Sequence, residues 1–157
     1  MKDPSAGRTT RYEGAILRDD QVLLIQHHEH ATGRTYWVFP GGGKEANETE
    51  LECVRRELKE ETGLDVKVVR PLLDEPEIPG LSSYQNRRVF LCESVAGEAK
   101  PGYEPEPEAH SAYGIVGVGW FDLQDEWSWD PIARNDPATY AKLCSVRVAL
   151  GYPRQAG

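Results

Sequence analysis

No stretch of this 157-residue chain approaches 18 consecutive apolar residues, which leaves no candidate for a membrane-spanning helix. The first eleven residues are polar and lack the apolar run of a secretory leader. Cysteine is scarce: Cys53, Cys92 and Cys144 form no CxxC pair and are odd in number. That usage suits a reducing compartment, so a cytoplasmic protein without a disulfide framework is expected. Basic residues are in deficit, 18 against 26 acidic ones, for a net charge of -8. Polymeric DNA or RNA is therefore not the expected partner, because phosphate-backbone affinity needs a basic face. A small phosphorylated ligand remains compatible, provided a cation bridges it to the protein. No repeat and no linker is visible, and one domain over residues 1–157 is expected, with 1–9 and 153–157 as loose ends.

What is present reads as alternating short strands with two helices. Residues 13–18 and 21–27 are apolar runs split by Asp19-Asp20, a hairpin pattern. Tyr36-Trp37-Val38-Phe39 is strand-like up to Pro40, and Gly41, Gly42 and Gly43 follow. A helix is expected over about 50–62, strands over 65–73, 87–95 and 115–121, and a Pro/Glu-rich loop over 97–112. A last helix is expected over about 136–149, where Asp136 precedes a first-turn Pro137. Strands in both halves with helices between and after them give a mixed α/β layer arrangement.

The first helix carries the chemical signal. Thr49 and Glu52 form a capping box, and Gly63 stands where a left-handed C-terminal cap is wanted. At 100° per residue, Leu51, Val54 and Leu58 make the core stripe. Glu57, Glu60 and Glu61 span an adjacent arc, so three carboxylates are held side by side at the edge of the core. Like charges at i, i+4 cost about 0.2–0.5 kcal/mol each even when exposed, and a sequence that keeps them needs something positive there. Gly42, Glu48, Arg56, Glu57, Leu58, Glu60, Glu61, Gly63 and Leu64 fit the pattern GX5EX7REUXEEXGU without a mismatch, U being a bulky aliphatic. The chance of that match in one register is roughly 1 in 10^8.

On these residues the chain resembles the Nudix hydrolase family. The resemblance extends upstream over Trp37-Val38-Phe39-Pro40-Gly41-Gly42 and, more loosely, to Trp120-Phe121-Asp122. It implies an α/β/α sandwich with a mixed β-sheet, and Mg2+- or Mn2+-dependent hydrolysis of a nucleoside diphosphate linked to another group. It further implies that Glu57, Glu60 and Glu61 carry the metal, joined by the carbonyl of Gly41. Either Glu57 or a glutamate of the 97–112 loop (Glu98, Glu104, Glu106 or Glu108) would take the proton from the attacking water. Glu48 and Arg56 would form an ion pair that fixes the glycine-rich loop against the helix, Arg56 also orienting Glu57.

Other features carry less. His27, His28 and His30 end a strand and complete no zinc pattern, although one of them could touch a phosphate. Gly41–Gly43 with Lys44 lacks the spacing of a phosphate loop. Cys53 sits on the acidic side of the helix, where thiolate chemistry is disfavoured. Gly114, Gly117 and Gly119 suggest a closely packed strand. Tyr84, Phe90 and Trp120 are candidates to stack a base or to fill the core, and Arg87 and Arg88 must face opposite ways on a strand. Pro79 and Tyr84 are weak substrate markers, and no coenzyme A or NADH signature is found. ADP-ribose-like compounds and (d)NTPs are the expected small-molecule nucleotide substrates. A non-catalytic nucleotide sensor of the same fold is the alternative, and a homodimer is possible on the family's habits.

Overall fold

Strand β1 (Thr10–Arg18) and strand β2 (Gln21–Glu29) form the expected hairpin, with Asp19 in the left-handed region at φ 54°. The two strands stay paired only near the turn, at Leu17↔Val22 and Arg18↔Gln21. Beyond it they splay. Strand β3 (Thr35–Val38) pairs with the half of β2 away from the turn, and strand β4 (Gly41–Gly43) pairs with the half of β1 away from the turn. The chain therefore steps from one arm of the wedge to the other at Phe39-Pro40. This computed structural model describes residues 9–78, 83–103 and 113–153.

Strand β5 (Asp65–Pro76) pairs antiparallel with β6 (Asn86–Ala96), β6 pairs parallel with β1, and β7 (Tyr113–Asp122) lies antiparallel along β2. Among the described residues these seven strands form one mixed sheet in the order β3-β2-β1-β6-β5, with β4 and β7 branching from β1 and β2. Its two faces bury separate cores, because successive residues on a strand point to opposite sides. Ile16, Leu23, Phe90 and Cys92 pack under Val54 and Leu58 of helix α1 (Glu50–Thr62). Ala15, Leu24, Trp37, Phe39 and Phe121 pack on the other face against helix α2 (Pro131–Arg134) and helix α3 (Pro137–Ala149), through Ala133, Leu143 and Val146. Thr139 ties α3 to β3 by donating its hydroxyl to the Trp37 carbonyl at 2.7 Å. This is the α/β/α sandwich expected.

Local chemistry explains the ends of α1. Thr49 Oγ1 accepts from the Glu52 amide at 3.1 Å while Glu52 accepts from the Thr49 amide at 2.9 Å. Gly63 ends the helix at φ 78°, its amide reaching the Lys59 carbonyl at 3.0 Å. Asp136 caps α3 as its sequence implied, accepting from the Ala138 amide. Gly63→Val is expected to destabilise the protein by about 1–2 kcal/mol, since an L side chain resists the left-handed region. Its Cβ would also stand 3.2 Å from the Glu98 carbonyl oxygen. Thermal unfolding should register this as a melting temperature lower by about 2–8 °C; no change would mean that the helix end tolerates the strain.

Three expectations need correction. Leu51 is not core but 44% exposed, and Cys53 is buried in its place. The buried arc of α1 is Cys53, Val54, Glu57, Leu58, Glu61 and Thr62, so the helix is rolled toward its acidic edge, which faces the glycines of β4. Gly41–Gly43 is a strand rather than a loop: with no side chains, its backbone fits between β1 and α1. Thr9 is not loose, since its carbonyl accepts from the amides of Gln85 and Asn86. Pro79, Glu104, Glu106 and Glu108 lie outside the described residues.

Candidate active site

The chemistry-bearing side chains meet where α1 packs on β4. A Cβ at Gly42 would stand 2.5 Å from a Glu57 carboxylate oxygen, so a larger residue would displace that carboxylate. At Gly41 a Cβ would overlap the Tyr12 carbonyl oxygen. With both positions bare, α1 approaches β4 closely enough for the Gly41 amide to donate to Glu61 Oε1 at 2.8 Å. Glu57 and Glu61 are thus buried, at 1% and 0% exposure, whereas Glu60 is half-buried.

Arg56 organises the opposite side of this group. Its Nη2 meets Glu48 Oε1 at 2.6 Å, and its Nη1 reaches Glu57 Oε1 at 3.0 Å and Glu60 Oε2 at 3.2 Å. Nη2 also donates to the Gly43 carbonyl at 3.4 Å. One guanidinium therefore spans the glycine strand, the loop that leads from it into α1, and two helix glutamates. Hydrogen bonding from Arg56 holds the Glu48 carboxyl below its usual range. Burial pushes the Glu60 carboxyl up, with Arg56 pulling against it. Burial, then Glu57 and Glu48, push the Cys53 thiol up, so Cys53 stays a thiol beside the acids.

A second charged group lies behind β4 and is not evident from the sequence alone. Glu13, opposite Gly41 in the β1–β4 ladder, is fully buried. Arg11 Nε and Arg87 Nε both donate to it at 2.9 Å, and Arg87 reaches on to Glu75. Arg11 also donates to the Phe39 carbonyl at 3.0 Å, pinning the step between β3 and β4. The available signal was Arg11-x-Glu13, two charges on one face of a buried strand. The arginine pair on β6 does split as expected: Arg87 is buried, while Arg88 faces out to Glu50 and Asp74.

His27 stacks on Tyr113 with ring centroids 4.4 Å apart and meets Tyr36 edge-on at 5.4 Å. Burial, then the Arg11 charge, push its pKa down to about 3. An imidazole held neutral when folded but protonated when unfolded below about pH 6.5 makes stability fall as pH drops from 6.5 toward 3. The expected slope is about 1.4 kcal/mol per pH unit, and His27→Phe should flatten it. Chemical unfolding of both proteins at pH 7.5 and 5 measures this; equal losses in the two would place the acid sensitivity elsewhere.

Among the aromatic candidates, Phe90 is core and Trp120 lies under the Arg18 guanidinium at 3.8 Å, while Tyr84 stays half-buried. Gly117 and Gly119 are closely packed as expected, a Cβ reaching Gln26 at 3.1 Å and Trp37 at 3.0 Å, but Gly114 is not, its nearest neighbour being His30 at 3.8 Å.

Residues 9–143 match the family model of the NUDIX domain. The chain belongs to the Nudix family. It is similar to the NAD-capped RNA hydrolase NudC of Photobacterium profundum, at 40% identity over 60% of this chain and 34% of that protein. It also resembles the ADP-ribose pyrophosphatase of Mycobacterium tuberculosis, at 28% identity over 80% of this chain and 62% of that one. The chain spans about a third of the length of the first curated relatives that it matches. Among solved structures, a MutT Nudix hydrolase from Burkholderia pseudomallei superimposes with a TM-score of 0.64 at 27% identity, covering 88% of this chain and 97% of that one. A Nudix hydrolase from Nitrosomonas europaea gives a TM-score of 0.67 at 19% identity over 96% and 97%, which supports the fold alone.

Divalent cations are the family's general cofactor, and the Nudix glutamates suit one by chemistry: hard oxygen donors, partly buried, around a single guanidinium. Among the described residues, however, no three His, Cys, Asp or Glu side chains gather into a ready-made metal cage.

Proposed function

We propose that this Nudix chain is a pyrophosphohydrolase that uses Mg2+ or Mn2+ to cleave the phosphoanhydride bond of a nucleoside diphosphate derivative. The carrying observation is the charge of the site. Glu48, Glu57 and Glu60 share the guanidinium of Arg56, and Glu61 is buried beside them on the Gly41 amide, within the field of Arg11, which is itself paired with Glu13. The acids outnumber the arginines, leaving an excess of negative charge that would repel a pyrophosphate unless cations intervene. Glu57, Glu60 and Glu61 would hold the ion, with the Gly41 carbonyl as a further oxygen. Such an ion, when bound, withdraws charge from phosphate oxygens and acidifies a water for in-line attack. The chain's own part is positional. Arg56 keeps Glu57 and Glu60 from drifting apart, the Gly41 amide fixes one oxygen of Glu61, and Gly42 lets Glu57 sit against the strand.

ADP-ribose-like compounds and (d)NTPs are the proposed substrates. The names of the relatives add the dinucleotide-capped end of an RNA, although a net charge of -8 favours the small molecules. A substrate panel decides. ADP-ribose, NADH, nucleotide sugars, diadenosine polyphosphates, 8-oxo-dGTP, plain NTPs and a capped oligonucleotide would each be incubated with Mg2+ or Mn2+, and the products separated by chromatography. Cleavage of one class, abolished by a chelator, is the expected result. Tight binding of one member without any cleavage would instead make the chain a nucleotide sensor.

A further inference from the structure

After β6 the chain returns to the C-terminal end of α1 and lies across it. The amides of Lys100, Gly102 and Tyr103 donate to the carbonyls of Thr62, Glu61 and Glu60 at 2.9, 2.9 and 3.1 Å. Those carbonyls belong to the last turn, which has no intrahelical partners for them and carries the negative end of the helix dipole. The approach is closer than a side chain permits. A Cβ on Gly102 would overlap the Glu60 carbonyl oxygen and stand 2.8 Å from its carbon, and one on Gly97 would stand 2.7 Å from the Gly63 carbonyl oxygen. The helix does not need this contact in order to stop, because the Gly63 amide already bonds Lys59 and the Leu64 amide already bonds Thr62 Oγ1. What the contact adds is a clamp on the backbone of Glu60 and Glu61.

We propose that residues 100–103 form a strap that positions Glu60 and Glu61 for a divalent cation, with Gly102 as the positioning residue. The inference rests on the cation-dependent reading above and deepens it. Gly102 touches no substrate. It acts by letting the strap seat, and a rotated last turn would swing both carboxylates relative to Glu57 and the Gly41 amide. Seating and cation binding then support each other, since each restrains the same two residues.

The test is Mn2+ binding, read as the loss of the free-ion electron paramagnetic resonance signal, for the wild type, Gly102→Ala and Gly33→Ala. Gly33 is a control with a positive φ and open space around its Cβ position. Gly102→Ala should bind Mn2+ about tenfold more weakly or worse, with little change in nucleotide KM at saturating Mn2+; Gly33→Ala should keep wild-type Mn2+ affinity even if it melts earlier. Hydrogen exchange of the wild type covers the case in which Gly102→Ala fails to fold. The amides of Gly102 and Tyr103 should exchange slowly, and more slowly with Mn2+. Rapid exchange, or protection indifferent to Mn2+, overturns the strap, as does wild-type Mn2+ affinity in Gly102→Ala. A wild type that binds no Mn2+ at all brings down the cation-dependent reading itself, a distinguishable failure.

Discussion

Glu57→Gln and Glu61→Gln should each lower turnover by about a hundredfold or more, with a melting temperature that holds or rises. The two halves of that expectation have different causes. Glutamine matches glutamate in volume and keeps a side-chain oxygen, so the contact from Arg56 to position 57 and from the Gly41 amide to position 61 can both persist. What disappears is a negative charge. Without a cation that charge is a burden on the fold, since Glu57 is buried beside Glu48 and Glu60, which share its guanidinium. Removing it relieves repulsion and desolvation. Under the catalytic assignment the same charge is what holds the ion against the pyrophosphate, so activity falls while stability does not. A structural role for the carboxylates predicts the opposite pairing, with both quantities falling together. Wild-type turnover in both variants would remove these residues from the reaction.

The split between legible and illegible features follows from the range of the interactions. The capping box at Thr49, the Gly63 cap, the Asp19-Asp20 turn and the Asp136-Pro137 start are local, each encoded within a few residues, and each is found as read. The charge group of α1 was also local, being a spacing on one helix. Leu51 went wrong because hydrophobicity alone placed the stripe, whereas packing against bare glycines rolled the helix toward Cys53, Glu57 and Glu61. Strand β4 was missed because three glycines have no strand preference; their pairing with Arg11, Tyr12 and Glu13 is purely tertiary. Gly102 read as part of a loop, and only the fold shows that it lies against the Glu60 carbonyl. Where local rules failed, buried glutamates and side-chain-free backbone contacts replace apolar packing. Such departures concentrate at functional sites.

Arg87→Met should give the largest loss of stability, about 3–5 kcal/mol, or roughly 10 °C in melting temperature for a chain of this length. Arg87 is wholly buried between β1 and β5, where it bonds Glu13 at 2.8 and 2.9 Å and also pairs with Glu75. Burial would push the Glu13 carboxyl up, but Arg87 first and Arg11 second pull it down to about 2. Methionine fills part of the space and leaves Glu13 with Arg11 as its hydrogen-bonding cation and Lys142 as a weaker influence, so a buried carboxylate loses its stronger partner. The sign of the pH dependence follows. A depressed acid contributes stability that is complete above its unfolded value near 4.5 and is lost as pH falls toward 2. In Arg87→Met the folded value rises, so this contribution shrinks and its acid loss spans a narrower window. Adding Glu13→Gln to Arg87→Met should recover part of the loss, because it removes the stranded charge, and the double-mutant cycle would measure the coupling directly. Equal penalties in the single and double variants would mean that Arg87 matters for its packing against Phe39, 5.7 Å from the ring centroid, rather than for its charge. Recovery in the double variant would instead establish that the floor behind Gly41 is held electrostatically. It would also explain why Arg11, a second cation on Glu13, is spent on the Phe39 carbonyl at the point where the chain turns into the glycine strand.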